Sequence, residues 1–141
     1  MRYFIEFSYL GKDYHGWQKQ PKDKSVQEEF EKAISKILRE EITLNGSSRT
    51  DTGVHAAQTF AHFESKNNSI DLDFLVYRLN KLLPNSIVAK KIHKVNGWQH
   101  SRFDALYRKY IYRITGVKNP FNHEYVAFYF QDFDIEAMND A

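Results

Sequence analysis

Residues 2–10 read Arg-Tyr-Phe-Ile-Glu-Phe-Ser-Tyr-Leu, and the architecture can be worked out from this stretch. Large side chains stand at every second position, at Tyr3, Ile5, Phe7 and Tyr9. A period of two, together with the aromatic enrichment, is typical of a β-strand. The stretch therefore predicts a strand at the start of a sheet.

Two amphipathic helices are predicted downstream of this strand. Ser-Val-Gln-Glu at residues 25–28 has the form of a capping box, in which the glutamate reaches back to the serine amide. Apolar residues then follow at helical spacing as far as Leu38, and we expect this stripe in the core. Asp71 is the expected N-cap of the second helix, which Pro84 ends.

Further strands are predicted where β-type patterns recur. Their predicted ranges are 42–44, 57–63, 87–95, 106–115 and 125–130. The order β-α-β-β-α-β, followed by two more strands, indicates an α+β fold with an antiparallel sheet and helices on one face. This split βαβ arrangement is ferredoxin-like and RRM-like, and it also underlies RNA-recognition modules.

The composition excludes several classes of protein. Of the 141 residues, 42% are apolar and 27% are charged, which is typical of a folded globular chain. There is no cysteine, so disulfide frameworks, zinc ribbons and catalytic thiols are excluded. No apolar run reaches the ~20 residues of a membrane span, and the first residues do not resemble a signal peptide. The six histidines show no metal-ligand spacing, so we expect no metal site. Because cysteine, a signal peptide and a membrane span are all absent from the sequence, we expect a cytoplasmic protein with no membrane contact.

The net charge of +2 is unevenly distributed. Residues 78–118, the basic segment, contain ten Lys or Arg and one acidic residue, so they carry +9. Trp98, Phe103, Tyr107 and Tyr110 are interspersed among these cations. Because cations contact phosphates and rings stack on bases, the pattern suits RNA binding. The alternative is a solvated sheet edge that carries lysines.

The densest group of reactive side chains lies between two predicted strands, in residues 47–56. Arg49 and Asp51 are two residues apart, so the guanidinium can hold the carboxylate ionised. Gly53 can adopt a positive φ and allow a close approach. The triplet Asp-Thr-Gly at 51–53 also resembles the aspartic protease signature, but the Arg49 cation opposes the shared proton which that chemistry needs. An ordinary surface turn with an incidental ion pair is the alternative.

Six segments, in order, resemble motifs of the TruA family of tRNA pseudouridine synthases. They are 14–20, 25–28, 49–56, 80–84, 100–105 and 108–112. The most specific is Arg-Thr-Asp-Thr-Gly-Val-His-Ala at 49–56, where the family has Arg-Thr-Asp, a small residue and Gly-Val-His-Ala. His-Ser-Arg-Phe-Asp-Ala at 100–105 is similar to the family's His-Ala-Arg-Phe-Ser-Ala. The resemblance implies the pseudouridine synthase fold.

The same resemblance implies an enzyme that detaches uracil from C1′ of a uridine, rotates it and rejoins it through C5. Asp51 is then the catalytic carboxylate, which either attacks C1′ or takes a sugar proton. Tyr110 is expected to stack on the target base and to help remove the C5 proton. Arg49 is expected to pair with Asp51 and to fill the space left by the flipped base. Bonds are exchanged within one nucleotide, so no cofactor is implied.

Further residues are expected to contact the RNA. They are Arg102, Arg108 and Lys109 at phosphates, Trp17 as a stacking ring, and Gly53 and His55 in the catalytic loop. A loop-closing core contact is the alternative for Trp17, and a structural pairing with an acidic residue is the alternative for Arg102. For His55, ordering of the loop by hydrogen bonds is favoured over proton transfer. The implied substrate is tRNA, at uridines of the anticodon stem-loop, bound by a homodimer.

Two domains are expected. Residues 1–104 are predicted to form an RRM-like α+β domain with the catalytic loop, and residues 105–141 to begin a second, truncated domain. The pattern at 134–138 resembles the opening of a helix, which suggests a fragment boundary. In the family the cleft lies between two domains, so this chain is expected to be inactive alone. The alternative function is a non-catalytic RNA-binding module.

Overall fold

The computed structural model describes residues 1–131 and 133–140. The elements are β1 Arg2–Tyr9, α1 Val26–Leu38, β2 Asn45–Gly46, β3 Ala56–Glu64, α2 Leu72–Leu82, β4 Ile87–Val95, β5 Ile114–Thr115, β6 Ala127–Phe128 and α3 Ile135–Asp140. None of the helices in these two ranges combines the length and the apolar character that crossing a bilayer requires.

The chain divides into two compact units, Met1–Leu106 and Tyr107–Ala141. The first unit contains the elements from β1 to β4, and the second contains β5, β6 and α3. The predicted division lay between residues 104 and 105. That the second unit begins a further domain stays a prediction.

A four-stranded antiparallel sheet, in the order β2-β3-β1-β4, is the framework of the first unit. Tyr3 of β1 lies opposite Phe63 of β3, and Ile5 lies opposite Ala61. With the chain order β-α-β-β-α-β, this topology is that of a ferredoxin-like split βαβ fold. The predicted α+β class and antiparallel sheet are confirmed.

Both helices cover the same face of this sheet. Phe7 of β1 meets Phe30 of α1 edge to face, with ring centroids 4.8 Å apart. Leu75 and Leu79 of α2 belong to the same buried cluster. The alternate residues of β1, such as Phe4, point to the other face and are only half-buried. One face of the sheet is therefore core, and the other is available to loops and solvent.

The helix starts agree with the sequence. The Ser25 hydroxyl accepts the Glu28 N–H at 3.3 Å, and the Asp71 carboxylate accepts the Phe74 N–H at 3.0 Å. Both predicted N-caps are thus confirmed. The Glu28 carboxylate, predicted to reach back to the serine amide, instead pairs with Lys32 one turn later at 2.8 Å.

The predicted strand at 42–44 is wrong, because β2 begins one residue after it. The Leu44 N–H donates to Oε1 of the buried Glu31 at 2.9 Å. The Leu44 carbonyl accepts from Nε2 of Gln27, also at 2.9 Å. Side chains of α1 therefore satisfy the backbone that a neighbouring strand would otherwise pair.

The predicted strands at 106–115 and 125–130 are reduced to two residues each, β5 and β6. These form a separate two-stranded parallel sheet with two residue pairs. Ile111 and Tyr112 both have large side chains but are exposed, so no packed face stabilises a longer strand. The helix predicted near 134–138 is present as α3, where the Asp134 carboxylate accepts the Ala137 N–H at 2.9 Å.

Candidate active site

Residues 47–55, the aspartate loop, connect β2 to β3 and are held against the segment that follows β1. The backbone N–H of Trp17 donates to the Thr50 carbonyl at 3.2 Å. The Gly53 N–H donates to the Tyr14 carbonyl, also at 3.2 Å. These two bonds lie on either side of the aspartate, so they fix the backbone from which its carboxylate projects.

Two side-chain hydrogen bonds tie the same loop to the end of β1. The Tyr9 hydroxyl lies 2.7 Å from Oγ1 of Thr50. The Gly11 N–H donates to Nδ1 of His55 at 2.9 Å. His55 thus acts as an acceptor that orders the loop, in line with one of its two interpretations. Contact of His55 with RNA stays a prediction.

Gly16 and Gly53 allow the loop and its neighbour to approach closely. Gly16 has a φ of +89°, and a Cβ atom placed there would lie 2.3 Å from the Thr50 carbonyl oxygen. Gly53 has a φ of +79°, the positive value that the sequence predicted. A residue with a Cβ atom is strained at a positive φ, so both positions favour glycine.

Asp51 and Arg49 are both exposed on the aspartate loop. Within residues 1–131 and 133–140, no ion pair joins the two, so the predicted pairing is not formed in this structure. The Asp51 carbonyl accepts the Val54 N–H at 3.2 Å, so the backbone of the aspartate is held. The same described residues contain no group of three or more histidine or acidic side chains that could hold a metal ion.

Trp17 is buried, with 4% of its surface exposed. Its indole stacks on Phe7 of β1, with ring centroids 5.1 Å apart. The loop-closing core contact is therefore the arrangement observed. Because a nucleobase needs an exposed ring face and Trp17 is almost fully buried, stacking of Trp17 on RNA has no support in this structure.

Arg102 lies exposed in a compact turn, residues 100–104, at the end of the first unit. The His100 carbonyl accepts the N–H groups of Phe103 and Asp104, at 3.1 and 3.0 Å. The Asp104 carboxylate in turn accepts the His100 N–H at 2.8 Å. The turn is thus closed by its own hydrogen bonds, and Arg102 is exposed on it.

His62 of β3 is a residue that the sequence interpretation left without a role. It is 3% exposed and lies on the face opposite the helices, paired with Phe4. Its Nδ1 lies 2.8 Å from Oγ of Ser101, and its ring meets that of His100 edge to face at 4.4 Å. Burial, followed by the charges of His100 and Arg2, lowers the pKa of His62 to about 4. A histidine within an otherwise apolar strand end was the available signal.

Arg108, Lys109 and Tyr110 belong to the second compact unit. All three are exposed, and they precede β5 in a stretch without helix or strand. Tyr110 retains 60% of its surface in contact with solvent, so its ring is accessible. Their roles toward RNA and the target base stay predictions.

Comparisons with known proteins agree with this arrangement. A family model described as tRNA pseudouridine synthase matches residues 6–104. This match includes the aspartate loop and the turn at 100–104. It therefore covers every candidate site residue of the first unit.

Curated relatives extend the match over almost the whole chain. Proteins named tRNA pseudouridine synthase A from Bacteroides fragilis and Parabacteroides distasonis are 44% and 45% identical over 140 residues, which is 99% of this chain and 56% of each relative. The protein of the same name from Synechocystis is 39% identical over 142 residues, 96% of this chain and 52% of its own length. The chain thus spans about half the length of these relatives. On these matches and this site geometry, the chain belongs to the tRNA pseudouridine synthase family.

Proposed function

We propose that the whole protein converts uridine to pseudouridine in tRNA, with Asp51 as the catalytic carboxylate. The observation that carries this proposal is the position of Asp51, exposed on a loop whose backbone is fastened on both sides. The loop lies inside the segment that matches the family. A carboxylate with a fixed backbone and a solvent-facing side chain can meet the ribose of a bound nucleotide without reorganising the loop.

The proposed reaction is balanced within one nucleotide. The C1′–N1 bond breaks and the C1′–C5 bond forms, while C5 loses a proton and N1 gains one. No electrons are transferred to or from the nucleotide. Asp51 acts in its ionised form, either as the nucleophile at C1′ or as the base that takes a sugar proton.

The remaining roles are those that the resemblance to the TruA family implies. Tyr110 has an exposed ring that can stack on the target base, and its hydroxyl can help remove the C5 proton. Arg49, exposed on the aspartate loop, is assigned to the gap that the flipped base leaves in the stem. Arg102, Arg108 and Lys109 are assigned to phosphates, because they lie in the basic segment that carries +9. Gly53 allows RNA a close approach to the loop.

We further propose that the substrate site is the anticodon stem-loop of tRNA and that the whole protein acts as a cytoplasmic homodimer. The names of the relatives support tRNA as the substrate. The basic segment supports a polyanionic partner. We propose that this chain binds tRNA through the basic segment. Because the chain matches about half of each relative, we propose that turnover needs the region that the relatives carry beyond the match.

Tritium release from tRNA labelled at C5 of uridine tests this function. The chain alone is compared with a chimera in which it is joined to the remaining part of the Bacteroides fragilis relative. We expect release by the chimera and none by the chain alone. In the chimera, Asp51→Asn is expected to reduce release to background, while Asp73→Asn, at an exposed position of α2, leaves it unchanged. Full release by the Asp51→Asn chimera would exclude the catalytic role of this carboxylate.

A non-catalytic RNA-binding module is the second candidate, favoured by the partial coverage of the relatives. It predicts tRNA binding that weakens steeply as salt rises, without tritium release from the chain or from the chimera. Binding of both proteins at low salt, with no release from either, would establish this alternative.

A further inference from the structure

His62 and Ser101 join the sheet to the turn that carries Arg102. Nδ1 of His62 lies 2.8 Å from Oγ of Ser101, and that hydroxyl donates to the Asn45 carbonyl at 2.8 Å. Asn45 of β2 is itself the register partner of His62 on β3. Both His62 and Ser101 are at least 96% buried, so the contact is shielded from water. The turn is therefore fastened to two adjacent strands at one point.

The backbone of the turn takes part in the same contact. The Ser101 N–H donates to Nδ1 of His62 at 3.3 Å, and the Ser101 hydroxyl lies 2.8 Å from the same nitrogen. Ser101 therefore contacts the His62 ring through both its backbone and its side chain.

The turn has little internal freedom, so its attachment determines where Arg102 projects. The bonds from the His100 carbonyl to residues 103 and 104, and from the Asp104 carboxylate to the His100 N–H, close it at both ends. Ser101 directly precedes Arg102 in the turn. Ser101 is buried, whereas Arg102 is exposed. A change at Ser101 therefore moves the origin of the arginine side chain.

We propose that His62 and Ser101 are positioning residues for RNA binding, which hold the turn at 100–104 so that Arg102 meets a phosphate. The inference rests on the proposed function, in which Arg102 binds phosphate. The anchor at Asn45 also matters for catalysis, because β2 leads directly into the aspartate loop. The same point of attachment thus sets Arg102 in relation to Asp51 within the first unit.

A double-mutant cycle on the 141-residue chain tests the proposal. Equilibrium binding of tRNA is measured over a series of salt concentrations for the parent, Ser101→Ala, Arg102→Ala and the double variant. Loss of one phosphate contact in Arg102→Ala is expected to lower the slope of log K against log salt by ~0.9. Ser101→Ala is expected to weaken binding roughly three- to tenfold and to lower the slope in the same direction. The double variant is expected to bind no more weakly than Arg102→Ala, because both changes remove one interaction.

Matched variants separate positioning from general damage to the fold. Ser69→Ala, at an exposed position before α2, is expected to bind like the parent. His62→Asn keeps a polar atom near the place of Nδ1 and is expected to retain most of the affinity, whereas His62→Leu is expected to behave like Ser101→Ala. Urea denaturation of each variant shows whether it is folded under the binding conditions.

Two different results would overturn the inference. Losses that multiply in the double variant, or an unchanged salt slope in Ser101→Ala, would show that Ser101 does not act through Arg102, while the proposed function would stand. Absence of tRNA binding by the parent chain and by the chimera would overturn the proposed function and this inference together.

Discussion

Acidification should destabilise the chain through His62 before most carboxylates titrate. The ring is buried on β3, and the charges of His100 and Arg2 further disfavour its protonation, while Glu64 opposes them in part. Its pKa falls from 6.5 in the unfolded chain to about 4 in the folded one. Above pH 6.5 the ring is neutral in both states. As the pH falls below 6.5, the unfolded chain binds a proton that the folded chain does not, so the free energy of unfolding decreases.

The size of the effect follows from the two pKa values. Each pKa unit corresponds to about 1.4 kcal/mol, so the loss at pH 5 is roughly 2 kcal/mol and approaches about 3 kcal/mol near pH 4. Glu28, Glu40 and Glu64 also have lowered pKa values, mainly through hydrogen bonds from Lys32, Ser65 and Arg2 respectively. Their stabilisation is lost as the pH falls below 4.5, so the interval from about pH 6.5 to 5 reports on the histidine.

Urea denaturation between pH 7.5 and 5, at constant ionic strength, measures this loss. His62→Asn removes the titrating group and is expected to flatten the dependence over that interval, whatever its stability at pH 7.5. A titration of the His62 ring by NMR gives the folded pKa directly. A folded pKa near 6.5, or an equally steep loss in the His62→Asn chain, would show that His62 does not cause the pH dependence.

Two stability predictions concern the elements around the site. Gly16→Ala places a Cβ 2.3 Å from a backbone oxygen at a positive φ, so the free energy of unfolding in urea is expected to fall by about 2 kcal/mol or more. In the control Gly97→Ala a Cβ meets nothing within 4 Å, so the free energy of unfolding should change little. Asn80→Ala removes two hydrogen bonds to the Ala89 backbone, at 2.8 and 2.9 Å, and should lower the free energy of unfolding by roughly 1–3 kcal/mol in the same assay. An equal loss in Asn68→Ala, at an exposed position, would show that these two hydrogen bonds are not the cause.

Local signals were sufficient for β1 and for the starts of both helices in the first unit. The alternation in residues 2–10 gave β1, because the buried set of side chains repeats at the period of the strand itself. The caps at Ser25 and Asp71 marked the helix starts, since the bonds they form span only three residues. These features need no knowledge of distant parts of the chain.

The misplaced strands depend on contacts that no local pattern contains. Residues 42–44 look like a strand, but the backbone of Leu44 is satisfied by Glu31 and Gln27, which are more than ten residues away along the chain. Residues 106–113 also look like a strand, yet they remain exposed and form none. Alternating side chains make a segment suitable for a sheet. How far a strand extends depends on whether a neighbouring strand is present to pair with it.

The residues proposed for the candidate site could be chosen from the sequence, whereas the residues that support them could not. Asp51 and Arg102 are identified by the motifs that contain them, because charged groups in short polar loops are conspicuous. The contact between His62 and Ser101 joins residues 39 positions apart. His62 is conspicuous as a histidine in an apolar strand end, but its partner cannot be read from that segment. The sheet brings the two together, because β1 pairs with β3 on one side and with β4, which precedes Ser101, on the other.

The two kinds of support around the candidate site have different consequences. The aspartate loop is fixed by backbone bonds from Trp17 and to Tyr14, which a side-chain substitution at Asp51 leaves intact. A change such as Asp51→Asn should therefore remove chemistry while preserving the loop. The Arg102 turn is fixed by side chains, so its position can be altered without touching the arginine. Loss of catalysis and loss of RNA positioning are consequently separable in this fold, by substitutions at different residues.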